Sequence, residues 1–209
     1  MFAALILIAL VGYLLGSLPF GYLVARAKGV NIFEVGSKNP GATNVRRVLG
    51  PLAGNLVLYL DILKGAVAAG WPLFFPLESM GAVDSSVLMI VGFIGAMLGH
   101  AFSCFTRFRG GKSVATGAGG FIVLFPHGAV VAAIVWGLTV FITRYVSLAS
   151  ILAGVALIVT AAVLHASPPV LAACAAVTIF VIVRHRANIS RLLAGTESKI
   201  GQKKIDDPS

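Results

Sequence analysis

Runs of residues long and apolar enough to enter a bilayer follow one another along almost the whole chain: 2–25, 51–75, 87–105, 113–143, 146–164 and 170–183. In hydrocarbon a backbone amide or carbonyl finds no water to bond. A spanning segment must therefore satisfy itself as a helix or close into a barrel. Runs of this length without an alternating period favour helices, so the chain is expected to fold as an all-α integral membrane protein. With 58% hydrophobic and 11% charged residues and a mean hydropathy of +0.98, the composition lies far from that of a water-soluble domain.

Proline and glycine in Pro126-His127-Gly128 divide the run 113–143 into two short helices joined by a tight turn, which makes the expected count seven spans. His127 and His165 then read as turn residues, the latter within a second turn over 165–169. No cation precedes the first run, so it reads as a permanent helix rather than a cleaved signal; Gly16, Ser17, Pro19 and Gly21 are placed to bend its inner end. Asp61 and Lys64 stand three residues apart on one helix face and can pair, either as a structural ion pair or beside a substrate. Cys104 and Cys174 have no metal-ligand spacing and read as buried thiols without a disulfide.

The formal net charge of +9 does not point to nucleic acid, because the cations lie in short pieces between apolar runs. Fifteen of the 16 lysines and arginines fall in alternate connections and the tail, Lys64 being the exception. The connections over 77–86, 126–128 and 165–169 hold none. The positive-inside rule then puts the N-terminus outside and the C-terminus in the cytoplasm. It also puts every polar motif on the cytoplasmic face. No internal repeat or linker divides residues 1–209, which read as one domain with a flexible tail from 198 onward.

Three stretches carry most of the polar chemistry. GSKNPGATNVRR, residues 36–47, marks tight turns, and Thr43 and Asn44 are placed to cap the helix that follows. A plain turn accounts for its small residues, whereas a polar site accounts for the crowding of Ser37, Asn39, Thr43, Asn44, Arg46 and Arg47. GHAFSCFTRFRGGKSVAT, residues 99–116, combines a Gly110-Gly111 pair with Arg107, Arg109 and Lys112. Glycines free the backbone for conformations closed to other residues, so amides can converge on an anion; a basic loop ended by a helix cap is the plainer account. Thr106 stands where a Walker loop needs glycine. RHRANISRLLAGTE, residues 184–197, places Ile189, Leu192 and Leu193 on one face of a short helix, and Asn188 one turn after His185. Cations, amides and hydroxyls suit a phosphorylated substrate better than a metal ion, His100 and His185 do not form a zinc pattern, and no GxSxG elbow is present.

In order and content these motifs resemble the acyl-phosphate-dependent glycerol-3-phosphate acyltransferases of bacteria, the PlsY family, over nearly the whole chain. Ser103-Cys104 stands where that family commonly has proline, Arg109 where lysine is usual, Ser113 where glycine is usual and Ser190 where a cation is usual. The resemblance implies transfer of a fatty acyl group from acyl-phosphate to the 1-hydroxyl of sn-glycerol 3-phosphate, giving lysophosphatidic acid and phosphate at the cytoplasmic face of the inner membrane. It implies no cofactor, no metal and no nucleic-acid partner, only membrane lipid and the two substrates. The oligomeric state is left open, and a monomer is compatible with it.

By the same resemblance Ser37, Lys112, His185 and Asn188 are catalytic, and Arg47, Asn39, Gly41, Thr43, Asn44, His100, Gly110, Gly111 and Glu197 bind substrate. Acyl-phosphate is already activated, so direct attack without an acyl-enzyme is expected, with the hydroxyl proton passing to His185 or to the departing phosphate. A small anion transporter is the alternative from another class; against it, the motifs share one face and show no repeat. The orientation is tested by labelling single cysteines introduced near Ser85 and Ser198, which are expected to react from opposite sides of the membrane. Labelling of both from one side overturns the seven-span arrangement.

Overall fold

The computed structural model describes residues 2–74 and 84–202, and these are helical with no strand among them. The helices are α1 (Phe2–Ser17), α2 (Phe20–Ala27), α3 (Ala42–Leu49), α4 (Pro51–Gly70), α5 (Ser85–Ala101), α6 (Val114–Leu124), α7 (Pro126–Thr143), α8 (Val146–Val163), α9 (Pro168–Arg184) and α10 (Arg186–Leu193). A 3-10 turn, Trp71–Phe74, extends α4, and another, Cys104–Thr106, follows α5.

By length and composition five of these can cross a membrane, α1 and α2 counting together as Phe2–Ala27, or six if α9 and α10, bent by 62°, form one span. The expectation of seven spans is therefore met only in part, and α6 is the reason. Its 11 residues rise about 16 Å, roughly half of a 30 Å hydrocarbon core. The expected break near Pro126 is present, but it separates one short helix from one of 18 residues, not two short ones. Pro126 opens α7 as its first residue, and Gly128 belongs to the helix, where a Cβ would lie 2.2 Å from the Phe125 ring. Pro168 likewise begins α9, so the turn expected over 165–169 is shorter than the sequence suggested.

Close backbone contact builds the bundle. Gly12 and Gly16 of α1 face α5, where a Cβ on either would meet the Gly92 carbonyl oxygen at 2.1 Å or the Ala96 carbonyl oxygen at 2.0 Å. Gly65 of α4 and Gly119 of α6 approach one another's helices just as closely. Lipid supplies no hydrophobic drive between helices, so small residues that admit such approach carry the association. Phe93 and Phe121 meet edge to face at 5.1 Å within the largest buried cluster. On α7, Val130, Ile134, Leu138 and Phe141 are exposed at helical spacing and form a lipid-facing stripe.

Most of the acidic connection expected over 77–86 lies outside the described residues, but Asp84 caps α5 by accepting from the Ser86 amide at 2.8 Å. Cys104 is exposed, contrary to expectation, because its turn points Ser103 and Thr106 inward and leaves Cys104 and Phe105 outside, whereas Cys174 is buried. The described part of the tail beyond Ser198, to residue 202, keeps two contacts with the turn that leads into α8. The Ile200 amide donates to the Arg144 carbonyl at 2.9 Å, and the Lys199 ammonium lies over the Tyr145 ring.

Two glycine substitutions separate packing from propensity. Gly16→Ala is expected to lower stability in detergent by about 1–3 kcal/mol, because the methyl group meets backbone that cannot swing aside. Gly137→Ala, with nothing within 4 Å of the new atom, is expected to be neutral or to stabilise by up to about 1 kcal/mol. Thermal unfolding of both variants checks the contrast.

Candidate active site

The first motif is folded by one buried amide. Asn44 Oδ1 accepts from the Ser37 backbone N–H at 2.8 Å while its Nδ2 donates to the Val35 carbonyl at 3.1 Å. Thr43 and Asn44 thus lie inside α3 and not at its cap, which is Gly41. Asn39 Oδ1 accepts from the Gly41 N–H at 2.9 Å and turns the chain into the helix.

The segment before Lys112 is pinned from two sides. From α5, the His100 carbonyl accepts the Gly111 N–H at 3.0 Å. From α9, Arg184 Nη2 donates to the Gly111 carbonyl at 2.7 Å, with its guanidinium over the Phe102 ring. The expectation that Gly110 and Gly111 supply unusual backbone angles is not met, since neither has positive φ; the left-handed residues nearby are Arg107, Phe108 and Ser113. Glycine is needed at both for space, because a Cβ at Gly110 would lie 2.1 Å from the His100 carbonyl oxygen and one at Gly111 2.1 Å from His100 Nε2. Ser113, where the resemblance led to glycine, holds φ +61° while its buried hydroxyl donates to the Met97 carbonyl at 2.7 Å. That bond offsets the strain of a left-handed non-glycine residue. Ser103, in the place of proline, has a proline-like φ of −66° and donates to the Ser17 carbonyl at 2.6 Å.

In the third motif His185 occupies the bend between α9 and α10. Its Nδ1 lies 2.8 Å from the Val181 carbonyl, an obligate acceptor, so Nδ1 carries the proton and Nε2 is left as an acceptor. Asn188 Oδ1 accepts from the Lys112 ammonium, and its Nδ2 donates to Glu197 Oε1 at 2.6 Å. Glu197 also accepts from Ser147 Oγ at 2.7 Å and from Arg191 Nε at 2.7 Å, joining α8, α10 and the tail.

These groups border one cleft of about 630 Å³. Its polar end holds Ser37, Asn39, Gly41, Thr43, Asn44, Arg47, His100, Lys112, His185, Asn188 and Glu197. Its other arm is lined by Phe121, Ala132, Trp136, Leu157 and Val177. From Ser147 to Leu157 along α8 the arm runs about 15 Å. Of the residues expected in the site, Gly110 and Gly111 alone do not line it; they border a smaller space beside Asp61, Lys64 and His100.

Burial lowers the Lys112 pKa to about 8, with Glu197 opposing and Arg191, Arg184 and Arg47 reinforcing the shift. Burial, helped by the Lys112 charge, lowers His185 to about 4, so its imidazole is neutral near pH 7. Burial acts to raise Glu197, but hydrogen bonds from Asn188, Ser147 and Arg191 outweigh it and hold the carboxyl below its usual value. The polar end therefore offers cations and amide and hydroxyl donors to an anion, and the arm offers room for an alkyl chain. Among the described residues no three His, Cys, Asp or Glu side chains come together to ligate a metal.

The profile of a family described as glycerol-3-phosphate acyltransferase matches residues 6–195. The chain belongs to this family. A glycerol-3-phosphate acyltransferase of Desulforamulus reducens is 42% identical over 200 residues, 95% of this chain and 96% of that one. Its counterpart from Rippkaea orientalis is 44% identical over 206 residues, 96% of this chain and 95% of that one. A crystal structure of PlsY (YgiH), described as an integral membrane glycerol 3-phosphate acyltransferase in its glycerol 3-phosphate form, matches with a TM-score of 0.84. The two are 38% identical, over 94% of this chain and 96% of the other. The lysophosphatidic acid form matches with a TM-score of 0.81 at 37% identity, over 94% of this chain and 95% of that one.

Sequence reasoning about this acyltransferase missed Ser147, Arg184 and Arg191. Arg191 carried a signal, standing one turn beyond Asn188 in the third motif, whereas Ser147 carried none beyond a hydroxyl at the start of an apolar run. Glu197 yields a pH test. Its depressed carboxyl contributes stability above the usual glutamate value of 4.5, and that contribution is lost as pH falls through the lower, folded-state value. Glu197→Gln is expected to reduce the unfolding temperature at pH 7 and to flatten its decline below pH 4.5, which pH-dependent thermal melts in detergent will read.

Proposed function

We propose that this family member transfers a fatty acyl group from acyl-phosphate to the 1-hydroxyl of sn-glycerol 3-phosphate, releasing lysophosphatidic acid and phosphate. The observation that carries the reading is the continuity of the cleft, cationic at one end and apolar along the other, within a single chain. The match to crystal forms of a relative with glycerol 3-phosphate and with lysophosphatidic acid supports the acceptor and product. Orientation follows the charge distribution: N-terminus outside, seven passages with α6 as the short one, and the cleft open to the cytoplasm of a bacterial inner membrane.

In this reading Ser37, Arg47 and Lys112 hold the acceptor phosphate, while His185 and Asn188 orient the glycerol hydroxyls. Thr43, Asn44 and the loop Asn39–Gly41 border the acyl-phosphate, and Glu197 fixes Asn188. The 1-hydroxyl oxygen bonds to the acyl carbon as the carbon–oxygen bond to phosphate breaks. The hydroxyl proton leaves with the phosphate. A pKa of about 4 makes His185 a poor base near neutrality, which favours a positioning role. His185→Asn, which keeps a hydrogen-bonding group without basicity, is expected to retain clearly more activity than His185→Ala.

The reading is tested with purified protein. Acyl-phosphate with glycerol 3-phosphate is expected to yield lysophosphatidic acid and phosphate without added metal or nucleotide; full activity with acyl-CoA as sole donor, or abolition by a chelator, overturns the donor assignment. Lys112→Ala and Arg47→Ala are each expected to raise the KM for glycerol 3-phosphate about ten- to a hundredfold while leaving a folded protein. Because Lys112 loses its proton near pH 8 when the cleft is empty, acceptor affinity is expected to weaken as pH rises above 8. The weakening is limited to about tenfold per pH unit, and Lys112→Arg is expected to remove it.

A further inference from the structure

Buried Asp61 and Lys64 and the largely covered His100 form a polar cluster at the edge of the cleft, which Asp61 and His100 also line, and the proposed chemistry gives it no role. The Lys64 ammonium pairs with Asp61 Oδ1 at 2.8 Å, and His100 Nδ1 faces the same oxygen at 3.4 Å, neither as a well-aligned hydrogen bond. Lys64 also donates to the Leu18 carbonyl at 2.9 Å, a group released by the break between α1 and α2, and lies over the Phe20 ring. A buried ion pair is weak evidence for stability, since apolar replacements of similar volume are often neutral or stabilising; fixing one arrangement is a better-attested use.

What the cluster fixes is visible from His100. Its carbonyl holds the Gly111 amide, and the edge of its ring carrying Nε2 occupies the space a Gly111 side chain would need. The next residue is Lys112, whose ammonium reaches Asn188. The imidazole in turn faces Asp61, which pairs with Lys64. A continuous set of contacts thus runs from the α1–α2 break through α4 and α5 to the cation of the cleft.

We infer that Asp61 and His100 are positioning residues for Lys112, setting the depth at which its ammonium meets the acceptor phosphate. The inference rests on the proposed role of Lys112. It changes the expected part of His100, which was direct substrate binding, to one exerted through the Gly111–Lys112 backbone.

The test is a double-mutant cycle in the active enzyme. His100→Phe fills the ring's space but removes the nitrogen facing Asp61, whereas His100→Asn keeps a donor there. His100→Phe is expected to raise the KM for glycerol 3-phosphate about tenfold, with the KM for acyl-phosphate changed less than about twofold. His100→Asn is expected to recover most of the loss. In a Lys112→Ala background His100→Phe should add less than about twofold, because the group it positions is already gone. Gly111→Ala, whose methyl group displaces the same segment from the other side, is expected to give the same pattern and serves if His100→Phe does not fold. Effects that multiply in the double variants, equal rises in both KM values, or no advantage of asparagine over phenylalanine each overturn the inference. A wild-type protein that makes no lysophosphatidic acid from the two substrates overturns the proposed reaction instead.

Discussion

A carbonyl set free inside a membrane protein must find another donor, and the break between α1 and α2 shows how much depends on that rule. Ser103 answers the Ser17 carbonyl and Lys64 the Leu18 carbonyl, while the Tyr13 hydroxyl answers the Phe102 carbonyl just past α5. Near the cleft Arg184 serves the carbonyls of Gly110 and Gly111. Irregular backbone is tolerated at these points because polar side chains from other helices converge there. The same convergence puts cations, amides and hydroxyls around one opening.

Electrostatics in that opening is biased toward an incoming anion. Lys112, Arg47 and Arg191 share a partly buried wall with Glu197, whose carboxylate is already engaged by Asn188, Ser147 and Arg191. The depressed pKa of Lys112 is the signature of that surplus: burial and neighbouring cations disfavour its charge until a phosphate supplies the missing counter-charge. His185 is kept neutral by the same surroundings, so its free nitrogen accepts a hydrogen bond where a second cation would only add repulsion.

Much of this was legible in the chain. The length of the apolar runs and their lack of an alternating period gave the helical class, and the three polar stretches named residues that meet at the cleft although Ser37, Lys112 and Asn188 lie far apart in sequence. What failed depends on three-dimensional neighbours. Hydropathy could not tell that α6 stops at Leu124, because a helix packed among others need not reach across the bilayer. Composition could not tell that Gly110 and Gly111 serve close approach to His100, nor that Asn44 sits inside a helix and reaches back to Ser37. Ser147 enters the site only because α8 happens to begin beside the tail that carries Glu197.

The direction of the cleft has a bearing on where new lipid appears. Its apolar arm runs beside α8 and α9, while its polar end lies at the bend that carries His185. A molecule formed there under the proposed reaction already has the posture of a bilayer amphiphile, tail among the helices and charged head at the polar end of the cleft. Release into the leaflet on the polar side then requires no somersault across the bilayer. Under that reaction the shape of the cleft assigns newborn lipid to one leaflet, and any supply of the opposite leaflet becomes a separate translocation step.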